Sequence, residues 1–279
     1  MPKAVVIDGR LCAARSAVVS VFDRGFLYGD GVFEVLRTLR GTPHLLSRHI
    51  ERLKDGASQL GITCPSAADI EAHVSQAIAA HGEAESFLRL ILTRGQMRTG
   101  IASEGESHPT FVVIAEDLVL PTTEARARGL TMATVVASTP SPDVPLPLIK
   151  SLNYLEHVVA LRTAKSRGAD DALLVTPTGF VLEGASSNFF SVSGDELFTP
   201  PVLGHVLPGV TREAILRLAP TLGLRVREVP VPVADLVRAD ECFLTSSIRG
   251  VMRVASVDGQ ILRDAGVTAR FSELLWAGL

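Results

Sequence analysis

Lysine is scarce in this 279-residue chain: its 27 basic residues comprise 23 arginines and only 4 lysines, at positions 3, 54, 150 and 165. Cysteine is scarcer. Cys12, Cys64 and Cys242 lie far apart, with neither metal-ligand spacing nor an even number, which argues against a disulfide framework or a thiolate metal site and points to a reducing, cytoplasmic compartment. No window holds the ~18 uninterrupted apolar residues of a membrane span, and the start, MPKAVVIDGR, lacks the apolar core of a signal peptide. Basic excess is also missing. A net charge of -3 gives no footprint for nucleic acid and no polybasic patch for a membrane. Nor are there GxGxxG, GxxxxGK[ST] or GxSxG motifs, or histidine pairs with zinc spacing, so no metal is expected. What is present, 47% hydrophobic and 20% charged residues, describes a globular protein long enough for one large domain or two ordinary ones.

The pattern along the chain is mixed α/β. Residues 17–23 (AVVSVFD) and 32–39 (VFEVLRTL) read as strands, and RGTP turns the second into a return strand at 44–46. Ser47 offers a helix cap, followed by Ile50, Leu53, Ala57 and Leu60 at helical spacing up to Gly61. A helix over 67–80 and strands at 87–95 and 111–117 complete a first domain, residues 1–119. Proline and small polar residues over 120–129 read as a linker to a second domain, 130–279. That domain is expected to hold a strand at 130–137, a helix over 153–166 and a strand at 172–176. FVLEG begins a run of short strands. A helix opens near Val210 or Thr211, ECFLTSS is another strand-like run, MRVASVDGQIL follows with its turn at Asp258 and Gly259, and a helix closes the chain.

Three of the four lysines have bland places, at the chain start or on polar helix faces. Lys150, in PLPLIKSLNY, follows an apolar run, and an amine there can do what guanidinium cannot: lose its proton and attack a carbonyl. From this window alone two readings stand, a Schiff-base lysine and one that snorkels its head to the surface. An aldehyde cofactor such as pyridoxal phosphate also needs an anion site and a partner for its ring nitrogen. PGVTREAIL supplies a turn into a helix N-terminus, where the N–H groups of Val210 and Thr211 and the Thr211 hydroxyl are available; an ordinary capped helix reads the same way. Glu183, in VLEGASSNFF, is either a strand-end carboxylate in water or a buried acid paired with a protonated base such as a pyridinium nitrogen.

The stretches DRGFLYGDGVFEVLR, HIERL, LTRG, IKSLNYL, DDALLV, GFVLEGASSNFF, LPGVTREAIL and FLTSSIRGVMRV, in this order, closely resemble the class IV aminotransferases over nearly the whole chain. These fold-type IV pyridoxal-phosphate enzymes include branched-chain and D-amino-acid aminotransferases and aminodeoxychorismate lyases. The resemblance implies a small N-terminal α/β domain, a larger C-terminal domain with a barrel-like sheet, the cofactor between them, and a homodimer. Carried over by position, Lys150 matches the lysine that binds the cofactor covalently and then moves the proton between the substrate Cα and the cofactor. Glu183 matches the carboxylate on the ring nitrogen, Arg52 the arginine on the phosphate, and Val210, Thr211 and Ser247 further phosphate contacts. Tyr154 stands near a tyrosine on the cofactor's phenolic oxygen.

The branch of the family is mixed. Tyr28, Phe33 and Arg89 resemble the substrate positions of branched-chain enzymes, whereas EGASSNFF and KSLN look more like the D-amino-acid and lyase branches. Arg98 follows TRG as in the D-amino-acid carboxylate trap, but Gly100 replaces that trap's histidine, and Arg249 stands at a loop able to face a carboxylate. The resemblance therefore implies a transaminase acting on small amino acids and 2-oxo acids such as 2-oxoglutarate or pyruvate. Branched-chain L-substrates lie slightly ahead of D-amino acids, with a pyruvate-releasing aminodeoxychorismate lyase as the alternative.

Overall fold

The computed structural model describes residues 4–97, 100–102, 107–138, 148–202 and 206–277. The chain divides into two compact units, Met1–Val119 with Ile149–Asn153, and Leu120–Leu148 with Tyr154–Leu279. Residues 149–153, expected in the second domain, thus pack with the first.

The first unit contains β1 (Ala4–Ile7), β2 (Arg10–Cys12), α1 (Arg24–Tyr28), β3 (Gly31–Leu39), β4 (Thr42–Pro43), α2 (Leu46–Gln59), α3 (Ala67–His81), β5 (Ser86–Gln96) and β6 (His108–Asp117). The strands form one antiparallel sheet in the order β2-β1-β6-β5-β3-β4. Alternation divides its residues between two faces. Val32, Leu36, Leu88, Leu90, Leu92 and Val113 pack on Ile50, Leu53 and Ala57 of α2 and Ile70, Val74 and Ala77 of α3. Each large side chain buried this way contributes roughly 1.5–3 kcal/mol. The opposite face carries Phe33, Phe87 and Arg89, whose guanidinium carbon lies 5.4 and 5.7 Å from the two ring centroids. Residues 150–152 run beside β3: Phe33 N–H donates to the Lys150 carbonyl (2.9 Å), and Leu152 N–H to that of Gly31 (3.0 Å).

Three local expectations need correction. Residues 17–23 are not a strand, because their β-branched residues meet no partner. Val18, Val21 and Phe22 are exposed, and only Asp23 forms a bridge, to Gln96. The return strand comes earlier than 44–46, at β4, since Arg40 and Gly41, both at positive φ (50° and 81°), turn the chain at once. Leu45, at φ 52°, stands at the N-cap of α2 without a side-chain cap bond, which puts Ser47 inside the first turn.

The second unit contains α4 (Thr123–Arg128), β7 (Leu130–Val136), α5 (Leu155–Ser166), β8 (Asp171–Val175), β9 (Phe180–Gly184), β10 (Ser187–Ser193), β11 (Glu196–Thr199), α6 (Val210–Leu218), β12 (Arg225–Glu228), β13 (Val231–Pro232), β14 (Glu241–Ser246), β15 (Gly250–Val257), β16 (Gln260–Ile261) and α7 (Val267–Ala277). The ring β10-β14-β15-β7-β8-β9 closes on itself through a second pairing of β9 with β10, giving a six-stranded barrel. Leu173, Val181, Phe189, Leu244, Met252 and Val254 form one core cluster. In a second, Ile215 of α6 and Phe271 of α7 pack with Phe190 and Phe243, themselves stacked at 5.1 Å. α5 seats Ala160 and Ala164 against Leu174 and Leu182. The expected linker is partly helical: Thr122 accepts from Ala125 N–H (3.2 Å) and so caps α4.

Candidate active site

In the first unit the Lys150 ammonium nitrogen sits 4.5 Å from the centroid of Phe33, the ring that Arg89 approaches at 5.4 Å. Cation–π attraction favours both contacts. The lysine is held by the backbone bonds to β3, and behind it Gly56 lets α2 lie against Ile149 and close to Val32, which a side chain there would crowd. Asn153 ties the same segment to the loop after α1 by donating to the Gly29 carbonyl (3.2 Å). Tyr28 ends α1; its hydroxyl accepts from Gly100 N–H (3.2 Å), and Arg24 lies 4.8 Å from its ring.

Arg52, on α2, is forked onto Glu34: Nε donates to Oε1 (2.7 Å) and Nη2 to Oε2 (2.6 Å), while His49 Nδ1 meets Oε2 at 2.7 Å. The Glu34 side chain is wholly buried. Burial alone raises a carboxyl pKa, but the charges and hydrogen bonds of Arg52 and His49 prevail and hold that of Glu34 down at about 2. The guanidinium is therefore fixed in plane before it meets any ligand.

In the second unit Glu183 is likewise buried, at the end of β9. Oε2 accepts from Leu207 N–H (3.0 Å) and Asn188 Nδ2 (3.2 Å), and Oε1 faces His157 Nε2 at 3.5 Å. Asn188 Nδ2 donates as well to the Leu207 carbonyl (2.8 Å), and a methyl on Gly209 would overlap its Oδ1. α6 starts at Val210 with no side-chain cap bond, so the N–H groups of its first turn, Val210 and Thr211 among them, have no capping side chain. Thr211 Oγ1 lies 3.4 Å from Ser247 Oγ, which pairs the two hydroxyls expected at a phosphate. Tyr154, at the N-cap of α5, stacks on His157 with centroids 4.3 Å apart and planes 14° from parallel. Arg249 donates to Asp171 Oδ2 (2.9 Å), a commitment that competes with any substrate carboxylate.

Of the residues singled out from sequence, the structure brings Lys150, Phe33 and Arg89 together in the first unit and Thr211 and Ser247 in the second. Tyr28 is engaged by the Gly100 loop, and Arg98 lies outside the described residues. Sequence reasoning missed Glu34, His49, Asn188 and His157. The i, i+3 spacing of His49 and Arg52 and the lone acid inside VFEVL were visible signals for the first pair. Nothing in the local pattern marks Asn188 or His157. Among the described residues no group of His, Cys, Asp and Glu is arranged to hold a metal, and no helix is long and apolar enough to cross a membrane.

In the second unit, a buried carboxylate that has no lysine or arginine paired to it among the described residues, and an open helix N-terminus with two hydroxyls, fit a protonated ring nitrogen and a phosphate; in the first unit, a lysine braced by backbone bonds fits an aldehyde. Each of these donors is of a kind that a pyridoxal-phosphate enzyme needs. The chain belongs to the class IV aminotransferases: the family model "Amino-transferase class IV" matches residues 31–257. It is 36% identical over 264 residues to a Methanocaldococcus jannaschii protein named "Putative branched-chain-amino-acid aminotransferase", covering 94% of this chain and 91% of that one. It is 31% identical to a D-alanine aminotransferase of Bacillus licheniformis, over 92% of this chain and 89% of the other. The crystal structure of the Escherichia coli branched-chain amino acid aminotransferase superposes with a TM-score of 0.93 at 25% identity, covering 99% of this chain and 94% of that one. The fold is thus fold-type IV, and enzymes of this family depend on pyridoxal phosphate.

Proposed function

We propose that the chain is an amino-acid:2-oxo-acid transaminase that takes branched-chain L-amino acids as donors and 2-oxoglutarate or pyruvate as acceptor. The observation that carries this reading is Phe33, whose ring lies beside both the Lys150 amine and the Arg89 guanidinium. An apolar wall next to the reacting amine suits an aliphatic side chain, and an arginine over the same ring suits the second carboxylate of an acidic co-substrate.

Bound pyridoxal phosphate supplies an aldehyde and an electron-accepting ring. Lys150 would hold that group through its amine and would carry the proton that leaves the substrate's Cα. Glu183 keeps the ring nitrogen protonated. Arg52, Val210, Thr211 and Ser247 bind the phosphate, with Arg52 pre-set by Glu34, and Tyr154 serves the phenolic oxygen. Tyr28, Arg98 and Arg249 remain assigned to substrate. The assembly is a homodimer in the cytoplasm. Exposed Val18, Val21, Phe22 and Phe26 in the first unit, and Leu155, Val158 and Val159 in the second, offer apolar surface suited to a second copy.

A single-turnover absorbance experiment tests the reading, with the yellow protein mixed separately with L-valine, L-glutamate, D-alanine, D-glutamate and aminodeoxychorismate. Loss of the yellow band with L-valine and L-glutamate is the expected result. The same loss with D-substrates alone moves the chain to the D-amino-acid branch. Pyruvate release from aminodeoxychorismate with the band intact makes it a lyase, the branch that EGASSNFF resembles.

A further inference from the structure

His157 has no duty in the reading above, yet its surroundings are specific. It lies in the first turn of α5, its ring fixed in plane by the stack on Tyr154 at 4.3 Å. Nε2 points at Glu183 Oε1, 3.5 Å away, while the other carboxylate oxygen already accepts from Leu207 N–H and Asn188. Among the described residues, His157 is the one ionisable donor paired with Glu183. Its Nδ1 is buried and meets no partner. A hydrogen on Nδ1 would be an orphaned buried donor, which folded proteins rarely tolerate, whereas a bare lone pair there costs less. The imidazole that fits is therefore neutral, with its hydrogen on Nε2.

We propose that His157 is a positioning residue for Glu183: as a neutral Nε2–H donor braced by Tyr154, it orients the carboxylate toward the cofactor's ring nitrogen without neutralising it. A cationic partner in the same place would compete with the pyridinium for that charge and weaken the ring as an electron acceptor. A neutral donor orients Oε1 and leaves the charge for the ring. The inference rests on the reading that Glu183 holds the ring nitrogen.

The test begins with the apo protein labelled with 15N at histidine. At neutral pH the His157 ring is expected to show a protonated Nε2 and a bare Nδ1, with the Nε2 signal moving in Glu183→Gln. A doubly protonated ring, a hydrogen on Nδ1, or a signal indifferent to Glu183→Gln overturns the proposal. In the holoenzyme, His157→Phe keeps the stack and removes the donor; kcat is expected to fall about tenfold with KM little changed, as for one long hydrogen bond to a charged group. His157→Gln restores a neutral donor and is expected to recover most of that loss. Equal losses in the two variants would mean a purely structural histidine. Failure of the underlying reading looks different: Glu183→Gln would then leave turnover and cofactor affinity unchanged, whatever the ring signals show.

Discussion

Replacing Glu34 by glutamine tests the clamp that presets Arg52. The carboxylate is wholly buried and accepts from Arg52 twice and from His49 once, at 2.6–2.7 Å. Its pKa in the fold, about 2 against an ordinary 4.5, corresponds to about 3 kcal/mol of stability at neutral pH. Breaking a buried ion pair by removing one partner costs a similar amount, about 3–5 kcal/mol. Because the folded pKa is depressed, this contribution is complete above pH 4.5 and disappears as the pH falls through about 2. Guanidinium unfolding of the apo protein and of Glu34→Gln should therefore differ by about 3 kcal/mol at pH 7, and by about 2 kcal/mol less at pH 3. The melting temperature should drop by about 6–12 °C. A double-mutant cycle with Arg52→Met isolates the pair, and a coupling energy above about 1 kcal/mol is expected. A gap below about 1 kcal/mol at pH 7, or one that does not shrink toward pH 3, would refute the argument: Glu34 would then be solvated or neutral in the folded protein.

Three other predictions are more direct. Lys150→Ala should abolish turnover and the covalent retention of cofactor after borohydride reduction; a variant that keeps both would remove the lysine from the chemistry. Gly209→Ala should loosen the Glu183 cradle, because the new methyl must displace Asn188 Oδ1 although the amide is anchored on both Glu183 and the Leu207 carbonyl. Cofactor affinity read by equilibrium dialysis should fall severalfold while the unfolding midpoint moves little, and unchanged affinity would show that Asn188 yields freely. Arg89→Met should raise KM for 2-oxoglutarate or L-glutamate and leave the cofactor's spectrum alone; an altered spectrum would make Arg89 a cofactor residue instead.

Much of the fold was legible because its signals are local. α3 begins at Ala67 after the Ser66 cap, β9 spans FVLEG as read, and the turn at Asp258 and Gly259, both at positive φ, joins β15 to β16. The misreadings share a cause. Val18, Val19 and Val21 have strand chemistry but no neighbouring strand, and pairing is a long-range property that propensity does not report. Thr122 looked like part of a linker because its cap bond depends on Ala125 already being helical. The placement of Lys150 was hidden for the same reason: its segment follows the second unit's β7 in sequence but pairs with β3. Among the proposed site residues, Lys150 stood out by rarity, Glu183 by an acid in an apolar strand, and Val210 and Thr211 by a turn into a helix. Arg52 came from the family resemblance alone. Asn188 and His157 carried no signal, since an asparagine beside a serine and a histidine in a helix are ordinary until β9 and α5 bring them to one carboxylate.

The alternation along β3 explains how one strand serves two duties. Phe33 and Glu34 are neighbours in sequence and point to opposite faces: Phe33 to the face where Lys150 and Arg89 meet it, and Glu34 to the helix side, where it clamps Arg52 and His49. Their register with β5, Phe33 opposite Ile91 and Glu34 opposite Leu90, fixes which goes where. A slip of one residue would turn the carboxylate toward the lysine and bury the phenyl ring under α2, exchanging an apolar wall for a charge that would pair with the amine and hold its proton. Leu88, Leu90 and Leu92 oppose that slip by their burial between the sheet and the helices. So does Glu34 itself, whose bonds to α2 can form in only one register. The ion pair that readies Arg52 thus also keeps Phe33, and with it the setting of Lys150, on the correct face of the sheet.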